Sequence, residues 1–231
     1  MLKLIFLFNK RTIYYACGTD IDYVNSLNKF KYFPFDNINH VEFPKYKQKH
    51  HETHHYFIKN IDNVVPSMYQ YSFRKDLSKQ LNPILLPGSI KTSEPNNDQR
   101  YLQNKKLNIL FGITRENFKG VDYILESLNL IKEKYNDRVD ISIVKKIPID
   151  EYFNFLDQAD ILIDQCKSYD YGMNAILAME RKIIVLSGSE IEANTYNKFK
   201  INPVINIKPN SSQIYQELEK LILMSDVELI S

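Results

Sequence analysis

The chain has 231 residues, 44% of them apolar and 25% charged, with a net charge of +2; this is the balance of a globular protein and excludes an intrinsically disordered one. No run approaches the ~20 apolar residues that span a bilayer, and residues 1–8 lack a small-residue cleavage site, so a cytoplasmic protein is expected. Cys17 and Cys166 make neither a disulfide framework nor a metal pattern and read as small apolar packing residues of a reducing compartment.

Charge is divided unevenly. Residues 1–106 hold 16 Lys and Arg against 9 Asp and Glu, whereas residues 107–231 hold 14 against 19. The basic half therefore suits an anionic partner, either a phospholipid surface or a phosphorylated acceptor. Nucleic acid is not expected, because the second half is acidic and no DNA- or RNA-binding motif is present.

In chain order, the first half offers strand-length apolar runs at 4–8, 12–17, 63–65 and 83–86, fewer than a complete nucleotide-binding layer uses. Residues 51–55 read His-Glu-Thr-His-His, the spacing that sets two zinc-binding imidazoles and a glutamate on one helical face. The preceding Lys45, Lys47, Lys49 and His50 are too polar for the water-excluding helix of a catalytic zinc, which also requires a third ligand. Adventitious metal binding between His50 and His54, or His51 and His55, is the alternative; an exposed basic helix is the expectation. Phe43, Tyr46, Tyr56 and Phe57 interleave with these cations, which suits either a peripheral membrane contact or a charged helix whose rings turn into the core.

Residues 88–106 are rich in turn formers. The expected division is a partial unit over 1–95, a linker over 96–106 and a second unit over 107–231. In that second unit, strands expected at 107–113, 139–144, 160–164, 183–186 and 203–207 alternate with helices at 121–135, 149–158, 173–181, 190–198 and 212–224, the pattern of a doubly wound parallel sheet. Tyr123, Ile124, Leu128, Ile131 and Tyr135 form one stripe of the first of these helices.

Between the first strand and the first helix runs Gly112-Ile-Thr-Arg-Glu-Asn-Phe-Lys-Gly120. A chain that leaves a strand through a glycine turn and restarts as a helix presents unpaired N–H groups at the positive end of the helix dipole. Arg115 and Lys119 add two charges, one able to grip a phosphate through paired hydrogen bonds and one acting as a point charge, which suits a diphosphate.

Four segments then match a known family in order. Gly112 with Arg115 and Lys119, the Ala159-Asp-Ile-Leu-Ile-Asp164 passage after a short helix, the loop and helix start from Ser168 through Asp170, Gly172, Met173 and Asn174, and the strand over 182–188 together resemble the nucleotide-sugar-binding domain of GT-B fold glycosyltransferases of bacterial surface-polysaccharide synthesis. Residues 13–20 are similar, more weakly, to the acceptor-side domain. The resemblance implies an α/β, GT-B-like fold with a complete Rossmann-like C-terminal domain and a shortened Rossmann-like N-terminal domain, as though the first βα units were absent.

The resemblance further implies a nucleotide-diphosphate sugar donor, a glycan or lipid-linked acceptor, and no cofactor or essential metal. Arg115 and Lys119 would carry the catalytic charge stabilisation, while Gly112, Asp170, Gly172, Met173 and Asn174 bind substrate. Relatives carry two glutamates at positions that align here with Tyr169 and Leu177, and a leucine cannot accept hydrogen bonds from a ribose. Asp170, Glu180 and Glu190 are candidate substitutes; Glu190 completes the binding set, with a simple helix-start role as its alternative. The rival expectation is a truncated, non-catalytic nucleotide- or phosphate-binding remnant.

Overall fold

The structure is a computed structural model that describes residues 6–34, 47–73, 78–82, 106–116 and 118–224. Two parallel sheets organise it. In the first half β1 (Ile13–Ala16) pairs with β2 (Asn63–Pro66), Ile13 opposite Asn63 and Ala16 opposite Pro66. Between these strands lie α1 (Ile21–Asn25) and α2 (Gln48–Asn60).

The expected strand over 4–8 is corrected where it is described, because residues 6–8 are helical. A short apolar run carries no periodicity that separates strand from helix, and here the neighbour of β1 is β2. Phe6 instead packs its ring against Phe57, with centroids 5.9 Å apart. The runs at 83–86 and nearly all of the proposed linker, 96–105, lie outside the described residues.

The second half is a five-stranded parallel sheet in the order β4-β3-β5-β6-β7. Its elements are β3 (Leu107–Ile113), α3 (Val121–Tyr135), β4 (Val139–Lys145), α4 (Ile149–Gln158), β5 (Ile161–Ile163), α5 (Met173–Met179), β6 (Ile184–Ser187), α6 (Ile191–Asn197), β7 (Ile205–Asn206) and α7 (Ser211–Leu223). The central strands β3, β5 and β6 are mostly buried, as a helix-covered parallel sheet requires, while the edge strand β4 is partly exposed. Ile109, Phe111, Ile161 and Ile163 point into one core with Ile124, Leu128 and Ile131 of α3 and Leu218 of α7. Leu110 and Leu162 point into the other, with Leu156 of α4 and Ala175 and Ala178 of α5. Truncating one of these fully buried aliphatic residues to alanine is a change that costs about 2–5 kcal/mol.

Since β4 lies on one side of β3 and β5 on the other, the connections leaving β3 and β5 diverge. The crevice at their C-terminal ends is the topological switch point, where open α/β sheets bind ligands. The first half closes this edge through an aromatic cluster. Tyr169 stands 5.1 Å from Phe30 and 5.2 Å from Tyr32, centroid to centroid, and its hydroxyl accepts a hydrogen bond from Lys31 N at 3.1 Å.

Candidate functional site

The turn from β3 into α3 places two successive residues in the left-handed region, Lys119 at φ 68° and Gly120 at φ 81°. Glycine is required at the second, because a Cβ there would stand 2.2 Å from Cys166 Sγ. Lysine at the first is less favourable by about 1–2 kcal/mol than in a right-handed conformation, and two contacts hold it. Its carbonyl accepts from Cys166 N at 3.0 Å, and its Nζ is 2.9 Å from Asp164 Oδ1.

Asp164, at the end of β5, is the hub of the crevice. Its second oxygen accepts from Gly172 N at 2.9 Å and from Ser187 Oγ at 3.2 Å, and its side chain has no exposed surface. A carboxylate so buried is tolerated because it is both paired with a cation and hydrogen-bonded. It fixes Lys119, the start of α5 and the end of β6 relative to one another. In the sequence Asp164 only closes one of the matched passages; its one further local signal is that it directly follows the three buried apolar residues of β5.

Two cavities meet at Lys119, the partner of Asp164. The smaller, about 300 Å³, is lined by Gly112, Lys119, Lys146, Tyr152, Asn174 and Leu177 among others. Gly112 belongs to β3 rather than to the turn, and a Cβ on it would stand 3.0 Å from the Tyr152 ring. The missing side chain lets that ring lie against the strand. The Tyr152 hydroxyl donates to Asn174 Oδ1 at 2.7 Å, and burial pushes the phenol up to about 12, so it stays neutral. The larger cavity, about 580 Å³, takes Thr19, Gln70 and Tyr71 from the first half and Arg115, Lys119 and Met173 from the second, with Gly172 also in its wall. Arg115 lies with its guanidinium carbon 5.0 Å from the centre of the Phe118 ring. Lys119 lines both cavities.

Six expected residues are thus brought to the cavity walls: Gly112, Arg115, Lys119, Gly172, Met173 and Asn174. Asp170 and Glu190 are not among the residues that line these two cavities. The Asp170 carboxylate accepts from Gln70 N at 3.3 Å and from Asn197 Nδ2 at 3.2 Å. Burial drives its pKa up to about 7, against the pull of these hydrogen bonds. Gln70 also bonds Ser168 Oγ at 2.5 Å and accepts from the Tyr23 hydroxyl at 3.1 Å, so Asp170 belongs to a network joining the two halves.

Glu190, the N-cap of α6, accepts from the Tyr32 hydroxyl at 2.5 Å and from Asn206 Nδ2 at 3.0 Å, and pairs with Lys208 Nζ at 3.2 Å. Burial raises its pKa, but the hydrogen bonds from Tyr32, Asn206 and Lys208 outweigh that and hold it below the ordinary glutamate value. Its role is a clasp between the halves.

The His-Glu-x-x-His segment forms α2 as expected, without a zinc-hydrolase arrangement. Glu52 accepts from Gln48 Nε2 at 3.1 Å, and His54 turns toward Asp22, with Nε2 3.0 Å from Oδ2. Phe57 packs edge-on against Tyr14, centroids 5.3 Å apart, so this ring faces the core; Phe43 and Tyr46 lie outside the described residues. Cys166 is buried as expected, but Cys17 is exposed. Among the described residues no helix is long and apolar enough to cross a membrane.

No protein-family model and no curated protein matches the chain. Among solved structures, the S. aureus MnaA–UDP co-structure superposes with a TM-score of 0.51 at 13% identity, over 99% of this chain and 69% of that one. The wall teichoic acid polymerase TagF aligns over 86% of this chain and 59% of its own at 14% identity, with a TM-score of 0.35, too low to carry an argument. The likeness to the first is one of fold: parallel α/β units of GT-B-like architecture.

Proposed function

We propose that the chain is a glycosyltransferase that takes a sugar from a nucleotide-diphosphate donor and passes it to a glycan or lipid-linked acceptor. The observation that carries this reading is the meeting of the two cavities at Lys119, at the C-terminal ends of β3 and β5. The smaller cavity, walled by Ile147, Ile149, Tyr152 and Leu177, suits a nucleoside. The diphosphate then lies between Lys119 and Arg115, and the sugar extends into the larger cavity, where the acceptor approaches from the first half.

In the reaction the oxygen of an acceptor hydroxyl forms a bond to the anomeric carbon and its proton passes to the departing phosphate oxygen, while the bond from that carbon to the β-phosphate oxygen breaks. The electron pair leaves with the nucleoside diphosphate. Arg115 and Lys119 neutralise the charge that develops there, which is transition-state stabilisation by preset charges. A lipid-linked acceptor is supported by Leu7, Phe8 and Ile13, which are 76%, 82% and 64% exposed beside Lys10 and Arg11, a mixture suited to an anionic membrane surface.

A second reading, a non-catalytic nucleotide-binding remnant, is favoured by one observation: Leu177 occupies the wall of the smaller cavity and offers no acceptor to a ribose. Calorimetric titration with UDP, the nucleotide in the structure of similar fold, followed by assays of transfer and hydrolysis with a panel of UDP-sugars, decides between them. The transferase reading expects UDP binding that weakens about tenfold or more in Arg115→Ala, the loss of a charged hydrogen bond, together with turnover of a donor. Binding without turnover of any donor supports the remnant, and absence of nucleotide binding overturns both.

A further inference from the structure

Away from both cavities, residues of two elements in the first half converge on one point. Asp20 and Asp22, at the start of α1, and His54, in the middle of α2, each bring a ligand atom within 4.8 Å of the other two. His54 Nε2 is 3.0 Å from Asp22 Oδ2, with the two side chains 15% and 19% exposed, and Asp20 is 5% exposed. These are partly buried groups, one of them an imidazole from a separate helix, and differ from acidic side chains scattered on a surface.

Their orientations are fixed from behind. The Asp20 carboxylate accepts from the Tyr14 hydroxyl and from the backbone N–H groups of Asp22 at 2.8 Å and Tyr23 at 3.1 Å. The Tyr14 ring stands edge-on to the His54 ring, 6.5 Å between centroids. Outer hydrogen bonds of this kind hold metal ligands in position.

One nitrogen and two carboxylate oxygens form a donor set that zinc accepts, at metal–ligand distances of about 2.0–2.2 Å. Around a tetrahedral ion of that size neighbouring ligand atoms lie ~3.3 Å apart, so the His54–Asp22 edge, at 3.0 Å, already has nearly the right length.

We propose that Asp20, Asp22 and His54 form a zinc-binding site that ties α2 to the start of α1. The site lies directly behind Gly18, Thr19 and Tyr23, which line the larger cavity, and it is independent of the nucleotide-sugar reading.

The other histidines of α2 are a source of adventitious binding, so the test starts from the full chain carrying His50→Gln, His51→Gln and His55→Gln together. After chelator treatment this variant is titrated with zinc sulfate by calorimetry and with cobalt chloride by visible absorption. The expected result is one zinc per chain, a midpoint of thermal unfolding that rises with zinc concentration, and the d–d bands of four-coordinate cobalt. Adding His54→Gln, or separately Asp22→Asn, weakens zinc binding about tenfold or more and abolishes the cobalt bands. If His54→Gln loses its far-UV circular dichroism, the near-isosteric Asp22→Asn decides alone. Zinc binding that vanishes in the triple variant, or that neither further substitution weakens, overturns the site and leaves His54 and Asp22 as an ion pair.

Discussion

Asp164 and Asp170 are two buried carboxylates six positions apart, and the molecule treats them in opposite ways. Asp164, on the floor of the crevice, has the Lys119 ammonium 2.9 Å away. Asp170, at the junction of the halves, meets neutral donors: the N–H groups of Gln70 and Tyr69 and the Asn197 amide, and its pKa is pushed up to about 7. The same functional group is therefore held by a cation in one place and by neutral donors alone in the other, where burial makes it a proton-dependent joint. The difference lies in whether a cation shares the low-dielectric site.

The strongest way to break this contrast is to remove the carboxylate that faces the cation. Asp164→Ala strands the Lys119 ammonium, which is 25% exposed, and leaves the Gly172 N–H and the Ser187 hydroxyl without their acceptor. A loss of about 3 kcal/mol is expected, the lower end for breaking a buried pair, measured as a lower urea midpoint at unchanged slope. A loss below about 1 kcal/mol would place the pair with ordinary surface salt bridges and remove the reason for calling Asp164 a hub.

The contrast sharpens in the pH dependence of stability. For Asp170 the folded value of about 7 lies above the ordinary 3.8, so between these limits the folded state holds more protons than the unfolded one. Stability from this group is therefore highest near pH 4 and falls as pH rises toward 7, with a slope of up to about 1.4 kcal/mol per pH unit. Asp170→Asn mimics the protonated carboxyl and should remove that slope, so the difference between the two unfolding profiles isolates the group. A difference that stays constant from pH 4 to 7 would show that Asp170 holds its charge at no net cost.

These two residues also mark what could be read from the chain alone. The helices at 121–135 and 149–158 have the boundaries expected for them, because an amphipathic stripe and its flanking turns are local signals. Arg115 and Lys119 were legible for the same reason: a strand, a turn and a helix in succession leave little freedom for where the turn points. What escaped reading depends on distant partners. The contacts of Asp170 with Gln70 and of Glu190 with Tyr32 span 100 and 158 positions, and no local pattern announces them. Both acids are candidates to meet a ribose by sequence, and each also has a partner in the first half. Asp164 was hidden in the opposite manner, its position at the end of an apolar strand looking like a simple boundary.

Tyr152 is a third case, a half-buried polar group that carries no charge of its own. Its hydroxyl reaches Asn174 Oδ1 at 2.7 Å across the wall of the smaller cavity. Tyr152→Phe removes that bond but keeps the ring that lies against Gly112, and Asn174, being partly exposed, can turn its oxygen to water. The expected loss is therefore that of one neutral hydrogen bond, about 0.5–1.5 kcal/mol, with no dependence on pH below the titration of the phenol near 12. Urea unfolding at pH 5 and pH 8 checks both parts. A loss of the size expected for Asp164→Ala would mean that the Tyr152–Asn174 contact, rather than the Lys119–Asp164 pair, holds α5 against the edge of the sheet.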